Sequence, residues 1–304
     1  MDVVTGSFGY IGKYITRVLL AQGRAVRTIT THPDKPNPFG AAVQAFPYSF
    51  EQPHRLTEAL AGAETLYNTY WIRFAYDGQT FDSAVENTRT LLECAREAGV
   101  QRIVHISVTQ ASPASDLPYY RGKGWQEVLV KESGMPFSII RPTLVFGQED
   151  ILVNNIAWLL RTFPVFPIFG SGEYRVQPVF VGDLAQIAVA SAQAPPGSTL
   201  DAVGPEVFTF QAMLRLIAET LGRRPLLVKT PPALGIFAGK VLGLFLRDVL
   251  LTADELKGLM AELLISDQAP NAPTRFSDWL AENRSTVGSR YSSEIARHFR
   301  WSAR

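Results

Sequence analysis

Residues 3–15 read VVTGSFGYIGKYI, with glycines at positions 6, 9 and 12 directly after a short apolar run. The run 2–5 predicts a strand, and 11–21, IGKYITRVLLA, carries helical spacing closed by Gly23. A strand, a glycine-rich turn and a helix leave few folds open. Glycine removes the side chains that would block a close approach and tolerates unusual backbone angles. The start of the helix offers free N–H groups and a favourable dipole. In a doubly wound sheet this first turn is where a pyrophosphate is received.

The same rhythm continues. Strands are predicted at 25–30, 42–48, 65–71, 102–108 and 137–143, with helices at 54–62, 82–99 and 119–134 between them. Alternation at this spacing predicts an α/β fold, a parallel sheet with helices on both faces. After about residue 148 the rhythm changes. Helical segments at 151–161 and 209–221 follow, the last hundred residues read as mostly helical, and Thr252–Glu255 forms a capping-box pattern. The expected organisation is a dinucleotide-binding domain over 1–150, to which 176–204 returns. A smaller, mostly helical lobe for substrate or partner takes 151–175 and 205–304.

Composition removes several classes. With 304 residues and 46% hydrophobic content the chain can bury a large core, and its +1 formal charge gives no strong pull toward nucleic acid. Cys94 stands alone, so neither a disulfide framework nor a cysteine-built metal site is expected, and the four histidines show no ligand spacing. No metal site is read. No basic region followed by a long apolar stretch opens the chain, so no leader is expected and a cytoplasmic location is read. Residues 231–246, PPALGIFAGKVLGLFL, are apolar but shorter than the roughly 20 residues a bilayer span needs. They are read as a buried or interfacial helix, a place for a peripheral membrane or protein partner. Trp279 is read as core, with a partner surface as the alternative.

TGSFGYIG resembles the TGxxGxxG fingerprint of the extended and atypical short-chain dehydrogenases/reductases, whose domain is the Rossmann fold. Further segments resemble that family in the same order. They are Asn87 in ENTRTLLECA, HISVT at 105–109, Tyr119 and Lys123 in YYRGK, RPTLVFG at 141–147 and PVFVGDLAQ at 178–186. Among subfamilies the chain looks most like the NmrA-like and complex I 39-kDa-subunit-like members of the NAD(P)-dependent epimerase/dehydratase family. That branch holds both enzymes and proteins that bind cofactor without turnover. The resemblance implies a nicotinamide dinucleotide held by Thr5, Gly6, Ser7, Phe8, Gly9, Tyr10, Ile11 and Gly12. Thr31 and His32 after the second strand, Phe50 after the third, and Asn68, Thr69 and Tyr70 on the fourth would join them, with Asn87, Ser107, Lys123, Pro142 and Thr143.

An acid at the tip of the second strand would grip a ribose hydroxyl and favour NAD. Here Thr30, Thr31 and His32 stand there, with Arg27 earlier in the strand and Lys35 in the loop. The reading favours NADP(H), with NAD(H) as the alternative. Tyr70-Trp71 is a departure, since the family commonly places small residues at that exit.

Tyr119 and Lys123 are four apart and share one helix face. A nearby ammonium favours a phenolate and brings tyrosine closer to its task as an acid/base. The resemblance implies Tyr119 as proton donor, Lys123 as its electrostatic partner and ribose ligand, and Thr109 or else Ser107 as the hydroxyl polarising the same oxygen. Tyr120, three residues from Lys123, competes for that face. The expected activity is hydride transfer by an oxidoreductase or epimerase/dehydratase-type enzyme on a small molecule. The alternative is an NADP(H)-binding redox sensor or assembly protein without catalysis.

Overall fold

The computed structural model describes residues 1–298; inside it the side chains of Gly235, of 237–242 and of His298 are outside the described set. In chain order the elements begin β1 (Asp2–Thr5), α1 (Tyr10–Ala21), β2 (Val26–Thr30), β3 (Val43–Pro47), α2 (Pro53–Leu60) and β4 (Thr65–Asn68). Then come α3 (Phe81–Glu97), β5 (Arg102–Ile106), α4 (Pro118–Glu132), β6 (Phe137–Pro142), β7 (Leu144–Phe146), α5 (Leu152–Thr162) and β8 (Val165–Phe169). Next are β9 (Arg175–Val176), β10 (Pro178–Phe180), α6 (Val181–Ala190), β11 (Ser198–Ala202), β12 (Phe208–Thr209) and α7 (Phe210–Thr220). The chain closes with β13 (Leu226–Thr230), α8 (Pro232–Leu246), α9 (Ala253–Met260), α10 (Phe276–Glu282) and α11 (Glu294–His298).

Two compact units result. The first holds Met1–Pro142 and Val181–Ala202; the second holds Thr143–Phe180 and the described residues from Val203 on. The segment returning to the first unit therefore starts at Val181, where residue 176 was expected.

The first unit is a seven-stranded parallel sheet in the order β11-β6-β5-β4-β1-β2-β3. Strand order reverses beside β1, which pairs with β2 on one side and β4 on the other. The C-terminal ends of β1 and β4 thus flank the switch point, where open α/β sheets bind ligands. Helices α1 and α6 pack together, as do α2 with α3 and α3 with α4. Val3, Ile29, Leu66, Ile103 and Ile139 fill the core with Leu56, Leu91, Leu92 and Val130. Each of the five strand residues comes from a different strand, so this core runs across the sheet from β2 to β6. Cys94 is buried on α3, its thiol donating to the Pro53 carbonyl at 3.4 Å.

Several expected bounds move. The fourth strand ends at Asn68 and the fifth at Ile106. The sequence 69–71 leaves the sheet because the Thr69 amide and hydroxyl bond back to Thr5 across the switch point, at 2.7 and 2.5 Å.

The second unit is built around Phe146, Val153, Ile156, Leu160, Phe210, Met213, Leu214, Ile217, Phe276 and Trp279. Trp279 is core, its ring 5.2 Å from that of Phe146. Asp150 is buried, accepting from the amides of Leu152 and Val153 at the start of α5. Thr252 and Glu255 make the capping box of α9. The C-terminal hundred residues are less helical than expected, since β13 lies parallel to β8. The apolar segment 231–246 forms α8, partly with side chains outside the described set. No described helix is long and apolar enough to cross a membrane.

Candidate dinucleotide site

The loop between β1 and α1 is a backbone cradle. Gly6 holds φ at +71°, in the left-handed region that favours glycine, and its amide donates to the Ile29 carbonyl at 2.8 Å. The Gly9 amide then donates to the Gly6 carbonyl at 2.8 Å. A Cβ on Gly12 would lie 2.4 Å from that carbonyl oxygen, and one on Gly9 3.1 Å from it. Tight backbone packing therefore sets Gly9 and Gly12, and the positive φ sets Gly6. Gly9 is the N-cap of α1, and no side chain caps that helix. The cradle fits a pyrophosphate: amides at a helix start, without side chains over them.

The loop's side chains point elsewhere. Ser7 is fully buried; it accepts from the Thr16 hydroxyl at 2.8 Å, and its amide donates to Thr28 at 3.0 Å. Phe8 is buried too, while Tyr10 and Ile11 are half-buried on the first turn of α1. Ser7, its amide taken by Thr28 and its hydroxyl by Thr16, is thus part of the loop's internal packing, and Phe8 points its ring away from a ligand.

Asn68 ties the switch point together. Its Oδ1 accepts from the Tyr70 amide at 3.0 Å and from the Thr5 hydroxyl at 3.3 Å. With that oxygen used as acceptor, Nδ2 is the donor to His105 Nδ1 at 3.2 Å, which leaves the histidine proton on Nε2. Burial, helped by the Lys123 charge, holds His105 well below its ordinary value, so this ring is neutral.

At the ends of β3 and β4 stands an aromatic wall. Phe50, expected among the dinucleotide's contacts, stacks on Tyr48 (5.1 Å, 15°) and leans on Tyr70 at 5.3 Å. Asn87 donates to the Tyr70 hydroxyl at 2.8 Å, so α3 fixes this ring. One face of Phe50 is therefore committed to Tyr48. Of the residues past β2, Thr31 is exposed and His32 half-buried. Arg27 is turned away: its guanidinium donates to the Ala61 carbonyl at 3.1 Å and lies over Phe46.

The candidate chemical residues gather around Trp71. Its indole stacks on Phe81 (5.6 Å, 21°) and meets the Tyr119 ring edge-on at 5.9 Å. The Lys123 ammonium lies 4.9 Å from the same indole. A Cβ on Gly122 would come within 2.5 Å of the indole, so glycine lets the ring settle on α4. Lys123 is only 3% exposed, and its Nζ donates to the Ile106 carbonyl at 2.9 Å. Burial pulls its pKa down to about 7, against a smaller upward pull from Glu127. Tyr120, the competitor, is buried against Tyr119. Two buried donors near this cluster, Trp71 Nε1 and His105 Nε2, have no hydrogen-bond partner. Such orphans are uncommon in native structures and suit a site that receives a polar ligand.

The two candidate hydroxyls separate. Ser107 donates to Glu127 Oε1 at 2.7 Å, and Glu127 is the carboxylate of a two-pronged pair with Arg141. Ser107 is thus held inside a buried network and is not a free polariser. The pair raises the Arg141 pKa and pins α4 to β6. Thr109 is fully buried just past β5, its amide donating to the Pro142 carbonyl at 3.1 Å. Thr143, buried, begins the second unit.

Comparison with known proteins adds to this geometry. Residues 6–151 match a family described as NAD(P)H-binding. A mitochondrial protein of Arabidopsis thaliana named as NADH dehydrogenase [ubiquinone] 1 alpha subcomplex subunit 9 is 24% identical over 285 residues, covering 88% of this chain and 71% of that protein. A Stigmatella aurantiaca protein, named as a 4-hydroxy-2-methyl-3-oxo-4-farnesyl-3,4-dihydroquinoline-1-oxide ketoreductase, is 26% identical, with 72% of each chain covered. The crystal structure of the Escherichia coli NADPH-dependent quinone oxidoreductase QOR2 with NADPH superposes with a TM-score of 0.75 at 22% identity, covering 94% of this chain and 99% of that one. The glycine cradle at the switch point, the matched NAD(P)H-binding region and these relatives agree, and together they support a nicotinamide-dinucleotide-binding chain similar to the NmrA-like branch of the extended short-chain dehydrogenases/reductases.

Proposed function

We propose that this protein is an NADP(H)-dependent reductase of a small carbonyl compound. The observation that carries the reading is the convergence of Tyr119 and Lys123 on one indole, beside the switch point whose glycine loop suits a pyrophosphate. When bound, the nicotinamide supplies hydride. The protein's own part is the rest. Tyr119 gives its proton to the carbonyl oxygen as charge builds there. Lys123, charged in part near pH 7, stabilises the phenolate left behind. Thr109 serves as the second donor to that oxygen, because Ser107 is engaged by Glu127. The first-turn amides of Tyr10, Ile11 and Gly12 would hold the pyrophosphate, and the lack of a carboxylate at Thr31 and His32 removes repulsion toward a 2′-phosphate. The Escherichia coli neighbour is named for NADPH-dependent quinone reduction and the Stigmatella relative for ketone reduction, which supports this reaction class.

A second reading, a dinucleotide-binding protein without turnover, is favoured by the burial of Lys123 against the Ile106 carbonyl and by the complex I subunit among the relatives. NADPH oxidation against a panel of ketones and quinones separates the two. The reductase reading expects turnover that falls by roughly 10²–10⁴-fold in Tyr119→Phe, the range for a lost general acid. Tight NADPH binding with no turnover on any compound overturns it in favour of the second reading.

A further inference from the structure

Between Glu219 and Asp248 the sequence holds five bases, Arg223, Arg224, Lys229, Lys240 and Arg247, and no acid, in a chain of nearly balanced charge. The segment comprises β13 and α8, both in the second unit, and α8 packs on β8. Its outward side is apolar where a surface is ordinarily polar. Leu244 is 79% exposed, Phe245 82%, and Leu234 and Leu226 more than half. On β13, Leu226 and Val228 share the outward face, while Leu227 between them packs against the core. Leu234, Leu244 and Phe245 fall within about a third of a turn on α8 at 100° per residue. Arg223, Arg224, Lys229 and Arg247, in the same segment, are all exposed.

Nearby acids do not cancel this charge. Asp248 is buried, held by the Tyr291 hydroxyl and the amides of Glu294 and Ile295. Glu173 makes a loose 3.9 Å pair with Lys229, and Glu219 lies exposed at the end of α7.

We propose that α8 and β13 form a docking face for an anionic lipid bilayer, on which α8 lies in the plane of the headgroups. Charge decides the occupant. A second copy would bring the same unbalanced bases against these, whereas an anionic bilayer offers apolar depth for Phe245, Leu244 and Leu234 and negative headgroups for the bases. Fifteen helical residues span about 22 Å, short of the roughly 30 Å hydrocarbon core, so the helix rests on the surface and does not cross.

Flotation of the full chain with vesicles tests this. One set is pure phosphatidylcholine; the other contains about one third phosphatidylglycerol, which supplies the anionic leaflet the argument needs. The expected result is binding to the anionic set, at least about tenfold weaker to the neutral set, and weakening with salt. Leu244→Ser/Phe245→Ser and Arg223→Glu/Arg224→Glu should each remove most of the binding. These positions are exposed, so unchanged melting and unchanged NADPH affinity confirm that the variants fold. Binding to neither vesicle set, or binding that both folded variants retain, overturns the proposal. So does concentration-dependent self-association that Leu244→Ser/Phe245→Ser abolishes without vesicle binding, since the face would then belong to a second copy.

Discussion

Trp71 lays its indole 4.9 Å from the Lys123 ammonium while that ammonium donates to the Ile106 carbonyl, so the lysine is enclosed by a ring on one side and the sheet on another. The cation–π contact and one hydrogen bond recover only part of the hydration the charge gives up. That is why burial brings this lysine to about 7.

Stability should therefore depend on pH through Lys123. The unfolded lysine titrates near 10.4 and the folded one near 7. Between these values the unfolded chain binds a proton that the folded chain does not, so stability rises with pH by at most about 1.4 kcal/mol per pH unit. Below pH 7 the cost of the buried charge is complete. Lys123→Met should be more stable than the wild type at pH 6, by on the order of a few kcal/mol, with the gap closing toward pH 10. Urea unfolding of both proteins at pH 6, 8 and 10 checks this; a gap that widens with pH contradicts it.

Glu127 has the opposite character. Buried and bonded to Arg141 and Ser107, it is the carboxylate that satisfies two partners at once. Glu127→Gln leaves the Arg141 guanidinium without its counter-charge and should cost about 3–5 kcal/mol, the range for breaking a buried pair. Chemical denaturation gives the value directly.

Cofactor choice should move with a single acid past β2. Thr31 is exposed at that tip, where a carboxylate would bond a ribose 2′-hydroxyl and repel a 2′-phosphate. Thr31→Asp should weaken NADPH by roughly tenfold or more and leave NADH within a few fold, a Coulomb effect of about 1–2 kcal/mol. Titrations of both nucleotides against both proteins provide the test.

The sequence made the cradle and the sheet legible because their signals are local. Gly6, Gly9 and Gly12 stand at fixed spacing in one turn, and β–α alternation follows from period. Tyr119 and Lys123 were readable for the same reason, being four apart on one helix. What it did not disclose depends on distant pairs. Trp71 meets Lys123 across 52 positions and Ser107 meets Glu127 across 20, and no periodicity records such contacts. The commitment of Ser107 therefore came only with the fold. β13 escaped for another reason: five residues between Pro225 and Pro231 give too short a run to tell strand from helix in an apolar tail. The aromatic wall of Tyr48, Phe50 and Tyr70 was signalled only by bulk at Tyr70, since ring stacking has no spacing rule.

The central claim is that the first loop holds the diphosphate by its backbone, and a fluorescence titration of NADPH against the wild type and Gly12→Ala tests it most directly. A methyl group at Gly12 would sit 2.4 Å from the Gly6 carbonyl oxygen and must push the loop out of shape. The account predicts saturable binding by the wild type and Tyr119→Phe alike, with at least about tenfold loss in Gly12→Ala, a change of 1.4 kcal/mol or more. Wild-type protein that associates with neither NADPH nor NADH, or folded Gly12→Ala that binds as tightly as the wild type, would contradict it.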